Sequence, residues 1–423
     1  MIRYLRARTL GRFYLVLALA TLSALTGMAT SFGLFYRVLY VLGLTVAVAY
    51  LWNLISLLAL NVDVNRRTSR VRVGDPIEEG FTAHNTGPLT KQSLIVEDLN
   101  DLPGVTIGAA VGLAAGAVTR WEGSGVAQKR GIYTLGPVRV SHTDPFGLFR
   151  RSRTFGDREE IVVYPRVFEL PQFEVPSAYL IGEATAMIRT QTVSPQASTI
   201  RDYAFGDSMS RIHWKSTAKL GRLISKEFDQ GRAGEVWIVL DLHRDYQFGE
   251  LAESTDEYAV SIAASLAKRH IQGQLPLGLV AYGARRHVLR AEPGFGQFDR
   301  VLDNLAVSVA EGTVPLDGVL AREELLWTNR SSLIVVTPSP DPAWVAGLRE
   351  LAKRGVKATA VVIDGSSFGG RRDSVRLLDH LLGSGVQSYV VRKGDNIASA
   401  LSRVYLRADA PAGETLEAVA ANA

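Results

Sequence analysis

The groups best suited to chemistry or binding are concentrated in residues 201–228, RDYAFGDSMSRIHWKSTAKLGRLISKEF. Gly206 can adopt a positive φ, and Asp207 can cap a short helix that runs from Ser208 to Trp214. Two interpretations stay open. Either these side chains pack and neutralise one another in a seam between domains, or they form a surface that binds a partner. The candidate residues are Arg201, Tyr203, Gly206, Asp207, Arg211, Trp214 and Lys215.

The same segment interleaves aromatic and basic residues, which is a pattern that also suits single-stranded nucleic acid. The residues concerned are Arg211, Trp214, Lys215, Lys219, Arg222 and Lys226. Four acids in or beside the segment, Asp202, Asp207, Glu227 and Asp229, weaken its positive field. The whole chain carries a net charge of only +5, from 47 Lys plus Arg against 42 Asp plus Glu. We therefore expect no nucleic-acid partner.

Motifs for common enzymatic chemistries are absent from the sequence. It contains no phosphate-gripping Gly-x-x-x-x-Gly-Lys-Ser/Thr loop, no His-Glu-x-x-His and no Gly-x-Ser-x-Gly elbow. The chain has no cysteine, which excludes disulfides, thiolate metal sites and a cysteine nucleophile. We therefore expect a protein that is not an enzyme, with an enzyme of cell-wall precursors as a rival motivated only by a membrane address.

Two uncharged apolar runs open the chain, residues 13–33 and 38–60, each long enough to cross a bilayer as a helix. With residues 34–37 as the turn, they predict a transmembrane hairpin over residues 1–61. Cations flank its two ends, at Arg3, Arg6, Arg8 and Arg12 and at Arg66, Arg67, Arg70 and Arg72, whereas the turn offers only Arg37. This bias places both ends, and the soluble body, in the cytoplasm. A cleaved signal peptide followed by one anchor is the alternative.

Hydrophobic periodicity divides the rest of the chain. Short alternating runs with turn signals predict an antiparallel β-sandwich over residues 62–165, in which residues 104–118 form a loop or an edge strand. Residues 166–234 are a connecting segment. Buried-strand runs that alternate with helical segments predict a doubly wound parallel α/β domain over residues 235–405. Asp241, Thr337 and Asp364 follow strands there, where such folds bind ligands. We expect residues 406–423 to be a disordered tail.

Residues 201–228 resemble the signature of domain-of-unknown-function family number 58. The resemblance rests on an Arg-x-Tyr-x-x-Gly-Asp stretch that runs into Arg-x-Ile-x-Trp-Lys. Residues 134–150 (TLGPVRVSHTDPFGLFR) and the paired apolar runs also resemble that family. The family often has a Gly-rich stretch ending in Glu-Phe before the arginine, where this chain reads SPQASTI. The resemblance implies a von Willebrand A-like last domain and a MoxR-type AAA+ ATPase as partner.

A von Willebrand A-like domain implies a metal site with oxygen ligands from three loops, and here those loops are altered. The first reads Asp241-Leu-His-Arg-Asp245, so both expected serines are replaced and Arg244 brings a cation. Thr313 is the candidate in the second, and Thr337 in the third is followed by Pro-Ser-Pro. The candidate metal ligands are thus Asp241, Asp245 and Thr313, in a degenerate site where we expect no cofactor.

The expected function is therefore that of a membrane-tethered, non-enzymatic scaffold or adaptor that works with a MoxR-type AAA+ ATPase in the assembly or maturation of other proteins. The alternative is a metal-dependent ligand-binding or adhesion module with a degenerate metal site.

Overall fold

The structure of the protein, a computed structural model, describes residues 2–173, 197–204, 209, 212–228 and 234–406. The chain forms two compact units, Met1–Tyr164 and Pro165–Ala423. The tail predicted to be disordered falls, from residue 407 onward, outside the described residues.

The first unit begins with two apolar helices, α1 (Ile2–Thr30) and α2 (Gly33–Ser56). Residues 11–30 and the whole of α2 are long and apolar enough to cross a membrane. The turn predicted at residues 34–37 is wrong, because the chain reverses at Ser31 and Phe32, and Ser31 takes a φ of 54°. Across the reversal, the Ser23 hydroxyl donates to the Phe35 carbonyl at 2.7 Å.

The predicted end of the second helix, residue 60, is also wrong. Helix α2 ends at Ser56, and Leu60 begins a strand. Leu57 and Leu60 extend the apolar run beyond the helix, and both are buried in the protein. The ammonium of Lys91 is itself buried and donates to the carbonyl oxygens of Ser56 and Leu58, at 2.6 and 3.0 Å. A tertiary contact thus satisfies carbonyl groups that the helix end leaves free.

A β-rich region follows the helices, as predicted. In this fully described stretch, ten strands form three small sheets, with strand orders β1-β3-β6, β5-β4-β8-β9 and β2-β10-β7. All pairs are antiparallel except the parallel pair β2-β10. Strand β5, in the small-residue stretch, lies at a sheet edge as expected. The strands are β1 (Leu60–Arg66), β2 (Arg70–Arg72), β3 (Pro76–Asn85), β4 (Lys91–Asp98), β5 (Gly108–Leu113), β6 (Val118–Val126), β7 (Gly131–Leu135), β8 (Val138–Thr143), β9 (Arg150–Phe155) and β10 (Glu159–Tyr164).

The buried guanidinium of Arg66 joins the three sheets of this region. It lies 3.0 Å from a carboxylate oxygen of each of three acids: Glu79 on β3, Asp98 on β4 and Glu159 on β10. Arg66 is therefore an internal cross-link, and it does not act as a free cation beside the membrane span. Burial and the neighbouring Asp98 raise the pKa of Glu79 to about 7, against the opposing effect of Arg66.

The second unit contains a β-hairpin, β11 (Ala197–Asp202) and β12 (Ile224–Phe228), with the short helix α3 (Trp214–Leu220) between its strands. An α/β domain follows, whose first strand is β13 (Glu235–Asp241). Its remaining elements are β14 (Gly249–Glu250), β15 (Glu253–Ser254), α4 (Thr255–Gln272), β16 (Leu277–Tyr282), β17 (Arg286–Glu292), α5 (Phe295–Val307), α6 (Leu316–Glu323), β18 (Ser331–Thr337), α7 (Ala343–Lys353), β19 (Lys357–Ile363), α8 (Val375–Gly383), β20 (Gln387–Val391) and α9 (Ile397–Ala400).

The main sheet of this domain is mixed, so the prediction of a wholly parallel sheet is wrong in one strand. The order is β17-β16-β13-β18-β19-β20, and the edge strand β17 runs antiparallel to β16. A tight β16-β17 connection makes this possible, since antiparallel neighbours need no crossover helix. Helices α6, α7 and α8 share one buried core with the sheet, around Trp237 and Trp344, while α4 packs against β13, β16 and β18.

Replacement of Glu79 tests the Arg66 cluster. A carboxyl whose pKa is raised on folding stabilises the native state at low pH, and that stabilisation is lost as pH rises through its folded pKa. Between pH 5 and 8, the wild type should lose about 2 kcal/mol of stability relative to Glu79→Gln, which stays neutral. Thermal unfolding of the full chain in detergent micelles measures this. Glu78→Gln, at the exposed neighbouring position, is the control and should show the pH dependence of the wild type. If the stability of Glu79→Gln and of the wild type changed with pH in parallel, the raised pKa of Glu79 would be contradicted.

Candidate functional site

Strand order places a crevice at the carboxyl edge of the mixed sheet. The chain passes from β13 to its neighbour β16 on one side and then crosses to β18 on the other. Loops that leave β13 and β18 therefore diverge, and a crevice of this kind is where open α/β sheets bind ligands. The last residues of these strands are Asp241 and Thr337. Their side chains meet, since the Thr337 hydroxyl donates to Asp241 Oδ2 at 2.7 Å.

The Asp241 carboxyl is buried and has both oxygens engaged. Only 4% of the residue is exposed. Oδ1 accepts the backbone N–H of His243 at 3.0 Å, while Oδ2 accepts the Thr337 hydroxyl. Burial raises the pKa of this carboxyl, although the bonds from Thr337 and His243 act in the opposite direction. The hydroxyl oxygen of Thr337 in turn accepts the N–H of Ser339 at 2.9 Å.

The other two candidate ligands, Asp245 and Thr313, lie on neighbouring loops. Gly312 pairs with the loop after β13: its N–H donates to the Leu242 carbonyl, and its carbonyl accepts from Arg244. The exposed carboxylate of Asp245 lies 3.6 Å from the Arg244 guanidinium, and Thr313 is also exposed. Among the residues that the structure describes, no group of three or more acidic or histidine side chains is arranged to hold a metal ion.

Asp364 also lies at this edge, after β19. Its carboxylate caps a short 3₁₀ helix through the N–H and the hydroxyl of Ser366, at 3.3 and 2.8 Å. The Arg392 guanidinium lies 3.5 Å from its other oxygen. Asp364 thus organises the loop that follows β19.

One polar group at the same edge escaped sequence analysis. Tyr282, at the end of β16 and paired in register with Asp241, donates its hydroxyl to the buried Glu323 at 2.5 Å. Arg286 donates to both oxygens of Glu323, at 2.7 and 2.9 Å, and lowers the pKa of that carboxyl. Glu323 lies 37 residues after Arg286, so no local pattern reveals the pair.

The signature segment is described only in part. Gly206, Asp207 and Arg211 lie outside the described residues, as does the side chain of Arg201 in β11. The described helix α3 begins at Trp214, and its N-cap is His213, whose Nδ1 accepts the N–H of Ser216 at 3.2 Å. Tyr203 is half-buried, and its N–H donates to the Leu223 carbonyl at 3.0 Å.

Helix α3 presents an apolar and basic surface to solvent. Trp214 is 63% exposed, and the α3 surface further comprises Met209, Lys215, Lys219, Leu220 and Arg222. Ile212 and Ile224 are buried beneath it. Because Trp214 points outward in this way, its placement favours a binding surface over a seam.

The predicted resemblance to family number 58 is confirmed in the second unit. Residues 199–364 match the model of the family described as Protein of unknown function DUF58. The Uncharacterized protein YeaD of Bacillus subtilis is 25% identical over 197 residues, which are 46% of this chain and 47% of that protein. The chain thus matches about half the length of this curated relative.

Two solved structures align with part of this chain. The conserved hypothetical protein BatB from Bacteroides thetaiotaomicron aligns with 40% of this chain and 95% of its own, at 13% identity and a TM-score of 0.31. Proximal thread matrix protein 1 of the mussel byssus aligns with 40% and 46%, at 11% identity and a TM-score of 0.31. These TM-scores are too low to assign a fold, so the von Willebrand A-like assignment stays a prediction.

Removal of the Thr337 hydroxyl tests the bond at the carboxyl edge. Thr337→Val removes the hydrogen-bond partner of the buried Asp241 Oδ2 and of the Ser339 N–H, at a cost of about 2 kcal/mol. Thermal unfolding measures the loss. Thr359→Val is a matched control on the adjacent strand β19, because the Thr359 hydroxyl is buried and, within the described residues, has no hydrogen-bond partner. This variant should melt at or above the wild-type temperature; equal losses in both variants would show that the bond contributes nothing specific.

Proposed function

We propose that this protein is a membrane-tethered, non-enzymatic adaptor whose partner is an AAA+ ATPase of the MoxR type. The partner is suggested by the family resemblance. The carrying observation is the α3 surface, where Trp214, Lys215 and Lys219 are exposed and Arg222 forms an ion pair with Asp202. Tryptophan is among the residue types enriched at energetically dominant sites in protein interfaces.

The two apolar helices supply the tether in this proposal. The arginines in the first part of α1, at Arg3, Arg6, Arg8 and Arg12, support a cytoplasmic location for both ends. The partner would thus meet the adaptor at the inner face of the membrane.

The carboxyl edge of the sheet fits a binding role better than a catalytic one. The carboxylates of Asp241, Asp364 and Glu323 are each bonded to neighbouring groups of the protein. A general base must be able to reach a substrate proton, and a nucleophile needs an adjacent base. Bonds of this kind instead give the loops a fixed shape, which suits recognition of a protein surface.

Loss of the Trp214 ring should abolish partner capture without unfolding the protein. Three tagged versions of the full chain are compared: the wild type, Trp214→Ser and Phe295→Ser. Each is crosslinked in native membranes and recovered with its bound partners. Phe295, on α5, is an equally exposed aromatic residue of the same unit and serves as the matched control. We expect an AAA+ ATPase to be recovered with the wild type and the control, and about tenfold less of it with Trp214→Ser, as for a central interface residue.

Thermal unfolding completes this experiment. Trp214→Ser should melt as the wild type does, since the ring is exposed; a large loss of stability would instead support the seam. Absence of any ATPase under all nucleotide conditions would overturn the adaptor proposal.

The metal-dependent alternative is retained because Asp241 and Thr337 meet in the crevice. We nevertheless expect no binding of Mg²⁺ or Mn²⁺ at about millimolar concentration, because Asp241 is buried and its oxygens already accept two hydrogen bonds. Isothermal titration calorimetry of the full chain tests this expectation. A saturable heat that disappears in Asp241→Asn would favour the adhesion module over the adaptor.

A further inference from the structure

A tight turn in the first unit packs against the ends of the two apolar helices. In residues 144–149, Asp144 Oδ1 accepts the N–H of Phe146 at 2.9 Å, and Oδ2 accepts that of Phe149 at 2.6 Å. Gly147 takes a φ of 72°, and a methyl group there would collide with the guanidinium of Arg12 on α1. The turn is therefore rigid and lies directly on α1.

An aromatic residue of this turn, Phe149, contacts both apolar helices. The Phe149 ring centroid lies 5.5 Å from that of Phe13 on α1 and 5.7 Å from that of Tyr50 on α2. Tyr50 precedes the end of α2 by six residues, which is about 9 Å along a helix axis. Phe146, at the tip of the turn, is 50% exposed. An aromatic side chain at this level is suited to the boundary between headgroups and acyl chains.

Arginines surround the turn without neutralising carboxylates. Arg151 donates to the Leu54 carbonyl in the last turn of α2, at 3.1 Å. Arg150 Nη1 is buried and has no hydrogen-bond partner. In the described part of the chain, Arg12, Arg150 and Arg151 form no ion pair. The one acid of the turn, Asp144, already accepts the N–H groups of Phe146 and Phe149. These cations therefore remain available to an external anion.

We propose that Arg12, Arg150 and Arg151 attract an anionic phospholipid to this turn, with Phe146 inserted beside its headgroup. This inference rests on the membrane tether of the proposed function. The lipid is favoured because these cations stand at the ends of helices that can cross a bilayer, and because a guanidinium binds phosphate through two parallel N–H groups. A basic group near the surface adds about fivefold to the attraction for anionic lipid. Arg12 lies on α1, whereas Arg150 and Arg151 follow the turn more than 130 residues later. The site therefore needs both α1 and the turn.

The experiment measures lipid selectivity of the full chain reconstituted into phosphatidylcholine bilayers. Electron paramagnetic resonance with spin-labelled phosphatidylglycerol or phosphatidylcholine gives the relative association of the two lipids from the motionally restricted fraction. We expect the wild type to prefer phosphatidylglycerol, and the preference to fall about fivefold for each charge removed, so about 25-fold in Arg150→Gln/Arg151→Gln. Arg70→Gln/Arg72→Gln is the matched control, with the same loss of charge on the exposed positions of β2, and should keep the wild-type preference.

Charge reversal separates a lipid contact from a structural role. Arg150→Glu/Arg151→Glu should prefer phosphatidylcholine, an inversion that loosened packing does not produce. A protein that stays in the bilayer during carbonate extraction but shows no lipid preference, or keeps it in both arginine variants, would overturn the lipid site and leave the tether intact. Extraction of the wild type by carbonate would overturn the tether and the lipid site together.

Discussion

The contact between Lys91 and the end of α2 holds the first unit together. An ammonium group that is removed from water is costly unless its protons have partners, and burial accordingly lowers the pKa of Lys91. Here the partners are the carbonyls of Ser56 and Leu58, at the negative end of a helix. The interaction stops the helix, starts β1, and fixes β4 against that junction.

Arg66 is a second buried cation whose partners come from separate elements, here in the interior of the β-rich region. Small sheets of three or four strands bury little surface each, so their mutual packing decides their stability. Three carboxylates from three sheets share one guanidinium, and this surplus of negative charge is relieved when Glu79 holds a proton. Such an arrangement is poor at adding net stability but specific in the geometry it accepts. It therefore fixes how the sheets meet.

Much of the architecture could be predicted from the sequence, because its signals are local. Uncharged runs identify the two helices, and turn residues between alternating strands identify the β-rich region. The end of α2 could not be predicted, since Lys91 lies 35 residues after Ser56 and hydropathy alone extends the helix to Leu60. Strand β17 (RHVLRAE) could not be predicted from a buried apolar run, because none of its residues is buried.

The candidate sites, too, could be predicted from the sequence only in part. Asp241, Thr337 and Asp364 could be placed at one sheet edge because parallel strands bring their carboxyl ends together. Their hydrogen bonds could not be foreseen, because Asp241 accepts one bond from Thr337, 96 residues away, and another from the backbone of His243. The exposure of Trp214 was equally beyond the sequence, which offered a seam and a surface as alternatives.

Aromatic rings beside cations recur in both units, but the environments differ. Phe146 stands among arginines that pack on apolar helices, where a low dielectric strengthens an ionic bond to phosphate. Trp214 stands among lysines in water, where salt screens each charge and the apolar ring supplies most of the binding energy. One cluster is thus suited to a lipid and the other to a protein, although their compositions are alike. What a cluster of this kind binds is decided by its position in the fold, which residue types alone do not specify.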